Sequence, residues 1–105
     1  MTKPVIVLTT VGGSFDAPEL ARVLVEQRLA ACVNIVERIR SIYRWQGKVE
    51  DDVEQLLIIK TVDEQLHELK EVLFLRHPYE VPEFVVLEID RIEGPYLEWL
   101  LESMR

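Results

Sequence analysis

From Val49 to Thr61 the chain reads V-E-D-D-V-E-Q-L-L-I-I-K-T, thirteen residues without a proline or a glycine. Such a run suits an uninterrupted β-strand. At about 3.3 Å per residue it spans roughly 40 Å, whereas an ordinary strand has about five or six residues. A second long run, Ala30 to Tyr43, precedes it, and Trp45-Gln46-Gly47-Lys48 hinges the two. Leu56 to Ile59 is continuously apolar and reads as core, while Val49 to Glu54 is acidic with only two valines. The pattern predicts a buried stem that carries a projecting arm. Because an unpaired strand edge invites association, the arm is expected to be completed by another copy of the chain.

The rest of the chain limits what the stem can belong to. A chain of 105 residues makes one core, so a single domain over 1–105 is expected. Apolar residues make up 49% and charged residues 30%, the balance of an ordinary globular protein. A net charge of −7 with scattered lysines and arginines argues against nucleic-acid and anionic-membrane partners, which need clustered positive charge. Met1 to Pro4 leads into a strand without a leader pattern and no apolar run reaches membrane-span length, so a cytoplasmic location is expected. The lone Cys32 fits a reducing compartment.

Val5 to Thr9 is β-branched and apolar and reads as a central strand, followed by a loop at Gly12-Gly13. In D-A-P-E, Asp16 supplies an N-cap oxygen for a helix whose Ala17, Leu20, Ala21 and Leu24 share a face, ending near Arg28-Leu29. The next strand runs from about Ala31 to Tyr43, with Ile35, Ile39, Tyr43 and Trp45 set against Arg38, Arg40 and Arg44. A two-residue turn at Gln46-Gly47 would place Tyr43 opposite Glu50, Ser41 opposite Asp52 and Ile39 opposite Glu54; one bulge would shift these pairs. Thr61-Val62-Asp63-Glu64 reads as a capping box for a second helix with a Leu66, Leu69, Leu73 stripe, closed by Arg76-His77 and stopped by Pro78. Phe84 to Ile89 is a fourth strand, and Gly94-Pro95 opens a third helix carrying Leu97, Leu100 and Leu101. This order is α+β, a ferredoxin-like βαββαβ sandwich with an extra C-terminal helix and a long β-hairpin arm. With helices on one side only, the other sheet face is expected to be covered by oligomerisation.

R-L-A-A-C-V-N-I from Arg28, S-I-Y-R-W-Q-G-K from Ser41, I-K-T from Ile59 and H-P-Y-E-V-P from His77, with Y-L-E-W-L from Tyr96, together resemble the CutA family of divalent-cation tolerance proteins. The likeness covers essentially the whole chain. It implies a small homotrimer related in architecture to the nitrogen-regulatory PII proteins, with arms wrapping neighbouring subunits. It also implies an association with copper or other divalent metals and no established enzymatic reaction. Members with a clear copper assignment carry a cysteine in the first strand and a doubled histidine before the proline. Here those positions read Thr9 and Arg76, so the resemblance implies at most weak binding of Cu(II) or another divalent cation.

Among single residues, Cys32 reads as a packing residue or as a soft thiolate ligand. His77, ahead of Pro78, is expected to project its imidazole out of the helical face, as a metal ligand or as a cap on helix carbonyls. The two are remote in sequence, so only the fold or a subunit boundary brings them together, and Glu54 or Glu80 would have to add oxygen ligands. Lys60, at the buried end of the stem, calls for a carboxylate or a bound anion. Tyr79 and Glu80, between Pro78 and Pro82, are expected to line with Glu54, His77 and Lys60 an inter-subunit pocket for a small effector. Gly12-Gly13-Ser14 has the makings of an anion nest without any phosphate-binding fingerprint, so loop flexibility explains it more simply. His67 reads as solvated. The acidic run Glu50, Asp51, Asp52 and Glu54 lacks the bent loop of a calcium site, and cross-strand arginines explain it.

Two other classes fit the fold less well. An acylphosphatase would place a phosphate-cradling arginine in the first loop, and Val11 to Phe15 contains none. RNA binding on such a sheet needs paired aromatics and a basic surface. Interlocked arms also predict high thermal stability, because unfolding one subunit disrupts its neighbours.

Overall fold

The long runs form one hairpin that extends past everything else in the molecule. In the computed structural model, which describes residues 2–105, the order is β1 (Pro4–Gly12), α1 (Ala17–Glu26), β2 (Cys32–Trp45) and β3 (Lys48–Val62). A 3-10 turn (Asp63–Gln65), α2 (Leu66–Arg76), β4 (Val85–Glu88) and α3 (Gly94–Ser103) follow. The reading of Met1 lies outside the described residues. The strands form one antiparallel sheet in the order β2-β3-β1-β4, the ferredoxin-like arrangement. β1 pairs with β3 only as far as Gly12↔Glu54, and Lys48–Val53 continue beyond it paired with β2 alone. Those six residues make an arm of roughly 20 Å at about 3.3 Å per residue, and the chain measures 44 × 26 × 22 Å.

Strand alternation decides what each face carries. Val7 and Val11 of β1 and Leu57 and Ile59 of β3 point to one side, where Leu20 and Leu24 of α1 and Leu69 and Leu73 of α2 close the core. The opposite face presents Ile6, Leu8, Leu56 and Ile58, half-buried, and the exposed Val36, Val85 and Leu87. Among the described residues no helix covers the middle of that face; α3 packs at its end, where Leu100 meets Ala31 and Val62. Asp16 caps α1 as expected, its Oδ1 accepting from the Glu19 amide at 3.1 Å. The turn is the expected two-residue one, with Gln46 at φ 49° and Gly47 at φ 80°, a pairing of left-handed residues that matches the twist of a hairpin.

Three expectations are corrected. A β-bulge does occur, but between Val36 and Ile39, on the core side of the arm. Tyr43↔Glu50, Ser41↔Asp52 and Ile39↔Glu54 therefore stand, while Ile35 and Ile39 lie on opposite faces instead of sharing one. Arg38 sits inside the bulge at φ 58°, outside the alternation. The capping box does not form, because Thr61 is still a strand residue: its hydroxyl donates to the Leu29 carbonyl at 2.7 Å, and the 3-10 turn introduces α2. The loop after β1 is neither nest nor loose. The buried Gln55 amide donates to the Gly12 and Phe15 carbonyls at 2.9 Å each, and Gly12 and Gly13 both keep negative φ.

Candidate functional site

Beyond the bulge the arm has two unlike faces. Arg40, Ile42, Arg44, Val49, Asp51 and Val53 share the side of the helices, and there Arg40 holds Asp51 through two bonds of 2.7 and 2.9 Å. Ser41, Tyr43, Trp45, Glu50, Asp52 and Glu54 take the other side. Alternation thus separates the arginines from most of the carboxylates. Arg40 with Asp51 bears out the cross-strand explanation for one acid only; Asp52 accepts from the Tyr43 hydroxyl at 2.5 Å instead. That bond and the neighbouring carboxylates push the Tyr43 hydroxyl up to about 12, so the phenol stays protonated.

The segment after α2 closes this face into a cleft. His77 ends the helix in extended backbone, as the following proline requires, with φ −71° and ψ 133°. Its ring then turns inward rather than outward and is only 8% exposed. Nε2 lies 2.9 Å from the Thr10 carbonyl, beyond the last residue of β1 that pairs with β4. Nδ1 accepts the Tyr79 amide at 3.1 Å, which leaves Nε2 to carry the proton and donate to Thr10. Burial pulls the imidazole below its ordinary value, against the opposing pull of the Thr10 carbonyl and Glu54, so the neutral ring is favoured. The expected projection does not occur: His77 caps α2 through its backbone amide, which donates to the Leu73 carbonyl at 2.8 Å, while its ring ties the Tyr79 segment to β1.

Anchored in this way, Tyr79 reaches across Gly12 to Glu54. A Cβ built on Gly12 would lie 3.8 Å from the Tyr79 hydroxyl, and Gly12 is the cross-strand partner of Glu54. The hydroxyl donates to Glu54 Oε2 at 2.5 Å. Glu54 is 6% exposed, and among the described residues no lysine, arginine or histidine nitrogen lies within 4 Å of it. Burial and the carboxylate together push the Tyr79 phenol well above its usual range. The cleft holds about 650 Å³, with Tyr43, Trp45, Glu54, Tyr79, Glu80 and Glu83 on its walls. Pro78 and Pro82 bracket its outer rim.

The sequence candidates divide between two places. Glu54, Tyr79 and Glu80 come together in the cleft. Lys60 does not: it lies toward the other end of the same face, its Nζ 3.4 Å from the Tyr96 hydroxyl and 5.6 Å above that ring. An aromatic ring on α3 therefore takes the place of the expected carboxylate or anion. Cys32 pairs with Lys60 and is half-buried, its thiol donating to Asn34 Oδ1 at 3.6 Å. The Cys32 and Lys60 row meets β1 at Ile6, four residues from Thr10, so Cys32 and the His77 anchor are about 13 Å apart along the strands. One chain does not unite them. No group of three or more histidine, cysteine, aspartate or glutamate side chains among the described residues is placed to hold a metal. With both nitrogens of His77 engaged, the residues of a single chain do not fit a tightly held copper ion. Sequence reasoning missed Tyr43, Trp45 and Glu83 as cleft residues; the predicted Tyr43↔Glu50 pairing was the signal that could have placed Tyr43 beside Glu54.

A four-stranded antiparallel sheet with two crossover helices, a terminal helix and a projecting hairpin defines a ferredoxin-like α+β protein whose cleft is lined by carboxylates and aromatic rings. The family model for the CutA1 divalent ion tolerance protein matches residues 5–103, and the chain belongs to that family. It is similar to the divalent-cation tolerance protein CutA of Thermus thermophilus, 50% identical over 93% of this chain and 95% of that one. It is 46% identical to the chloroplastic CutA protein of Arabidopsis thaliana over 96% of this chain but only 56% of the plant protein. Among solved structures, CutA1 of Thermus thermophilus superposes with a TM-score of 0.91 at 48% identity, covering 97% of this chain and 99% of that one. CutA1 of Oryza sativa gives 0.92 at 44% identity, covering 98% and 94%. The family description and the names of the Thermus proteins speak of divalent-cation tolerance and not of a reaction. No helix among the described residues is long and apolar enough to cross a membrane.

Proposed function

We propose that the chain serves divalent-cation tolerance as a cytoplasmic, non-catalytic binding protein that works as a homotrimer and takes up Cu(II) or another divalent cation weakly. The supporting observation is Glu54, a buried carboxylate facing the cleft with a neutral phenol as its partner and, among the described residues, no ion-pair partner. Buried charge of that kind attracts a positive ligand. Affinity stays low because Glu54 on β3 and Glu80 and Glu83 in the loop after α2 offer oxygen donors but, among the described residues, no assembled ligand set. Cys32 and His77 could contribute to one metal only across a subunit boundary. The exposed arm and the uncovered apolar sheet face support the trimer, since both call for another copy of the chain.

Calorimetric titration of the metal-free protein with Cu(II) and Zn(II), beside Cys32→Ala, His77→Ala and Glu80→Gln, tests the metal role. Weak uptake that declines in Glu80→Gln supports it; no uptake by the wild type overturns it. A second reading, a sensor or scaffold that holds a small effector in the cleft with no metal role, is favoured by the aromatic share of the walls, Tyr43, Trp45 and Tyr79.

A further inference from the structure

We infer that the cleft beneath Tyr79 is a site for a small organic ammonium ion, its charged nitrogen held at Glu54 and its apolar body against Tyr43 and Trp45. The inference rests on the effector reading above and specifies the chemistry of the ligand. Charge points to a cation: among the described residues Glu54, Glu80 and Glu83 line the cleft and no lysine or arginine does. Arg40 of the arm is turned to the other face and bonded to Asp51 through Nε and one terminal nitrogen. Of the three carboxylates Glu54 is the buried one. It is more than nine-tenths buried, and its one hydrogen-bonding partner is the Tyr79 hydroxyl on Oε2.

The wall chemistry separates an organic cation from a metal ion. A divalent metal needs several oxygen or nitrogen donors converging on one point, and the described residues supply no such group. An ammonium ion is content with one or two carboxylates and the faces of aromatic rings, which attract cations through their quadrupole. Tyr43, Trp45 and Tyr79 provide those rings, and at about 650 Å³ the cleft has room for an amine with an apolar body. The rim is rigid for the same purpose: Pro78 and Pro82 restrict its backbone, and His77 fastens it to β1.

Benzylammonium and its neutral counterpart benzyl alcohol are suitable probes, read by two-dimensional NMR of the intact protein and by Trp45 and Trp99 indole shifts. Benzylammonium is expected to shift the Trp45 indole and the amides of 78–83 and leave Trp99 unmoved, while benzyl alcohol does neither. Glu54→Gln should weaken the binding about tenfold or more, as loss of a charged hydrogen-bonding partner does. Glu80→Gln, on an exposed residue whose loss leaves the fold intact, should weaken it severalfold. Equal response to the alcohol, or an unchanged affinity in both variants, overturns the proposal. So does a wild-type cleft that does not respond, as it would if a neighbouring copy's own cation filled it. Zn(II) titrated in parallel tells the two readings apart: shifts at the cleft with zinc but not with benzylammonium reject the organic cation alone, and shifts with neither reject the cleft as a ligand site.

Discussion

Tyr79 donates its hydroxyl to Glu54 at 2.5 Å across a glycine, Gly12, that stands directly opposite Glu54 in the sheet. The bond joins the loop after α2 to the root of the arm, two parts of the chain that share no secondary structure. Removing it should therefore be felt by the whole molecule. Tyr79→Phe leaves a buried carboxylate without its donor and should cost about 1–3 kcal/mol, measured by chemical denaturation at a fixed protein concentration. Tyr43→Phe, which removes a similar bond from an open surface, serves as the comparison and should change stability much less.

Acid should act through His77. The folded protein holds this imidazole below its ordinary value of 6.5, so the unfolded chain takes up the proton more readily. Stability then rises with pH through the interval between the folded value and 6.5, and is lost as the pH falls below about 6.5. Protonation would also place a second N–H donor where Nδ1 accepts from the Tyr79 amide. Denaturation midpoints of wild type and His77→Gln between pH 7.5 and 5 check this: the slope attributed to His77 should vanish in the variant.

Gln55 should be the residue that holds the first loop. Its amide satisfies two carbonyls, those of Gly12 and Phe15, and replacing it by leucine leaves both without that donor. Gln55→Leu is expected to cost about 1–3 kcal/mol and to raise amide exchange around 13–16. Gly13→Ala presses on the same loop from outside, since an added Cβ would meet the Val53 carbonyl at 3.2 Å.

The hairpin tip gives a local test. Gly47, at φ 80°, occupies backbone that a side chain disfavours, and nothing surrounds it. Gly47→Ala should thus cost about 1–2 kcal/mol through backbone strain alone. Gln46→Gly relieves the same strain at φ 49° and should be neutral or slightly stabilising in thermal melts.

What the sequence made legible was whatever local chemistry determines. Asp16 caps α1 because its oxygen and the Glu19 amide are three residues apart, and the Gln46-Gly47 turn fixed the arm pairs outward from itself. Longer-range geometry was hidden. The bulge at Glu37-Arg38 depends on where β1 stops beside β3, and it reversed the side on which Ile35 lies. His77 turns inward because Thr10 has a carbonyl left free past the end of β4, a vacancy that no spacing in the sequence reveals. Lys60 finds Tyr96 on a helix 36 residues away, and a lysine after four apolar residues looks the same in sequence whichever partner it has. Of the cleft, Glu54 and the H-P-Y-E segment could be read, while Tyr43 and Trp45 could have been placed only by carrying the predicted arm pairs through to the face they share with Glu54.

The arm and the uncovered sheet face make assembly the central claim, and native mass spectrometry of the metal-free protein at low micromolar concentration tests it most directly. The account predicts one species with a mass three times 12.3 kDa, whose melting temperature rises with protein concentration. A monomer of 12.3 kDa, folded and soluble with its arm unpaired, would contradict it.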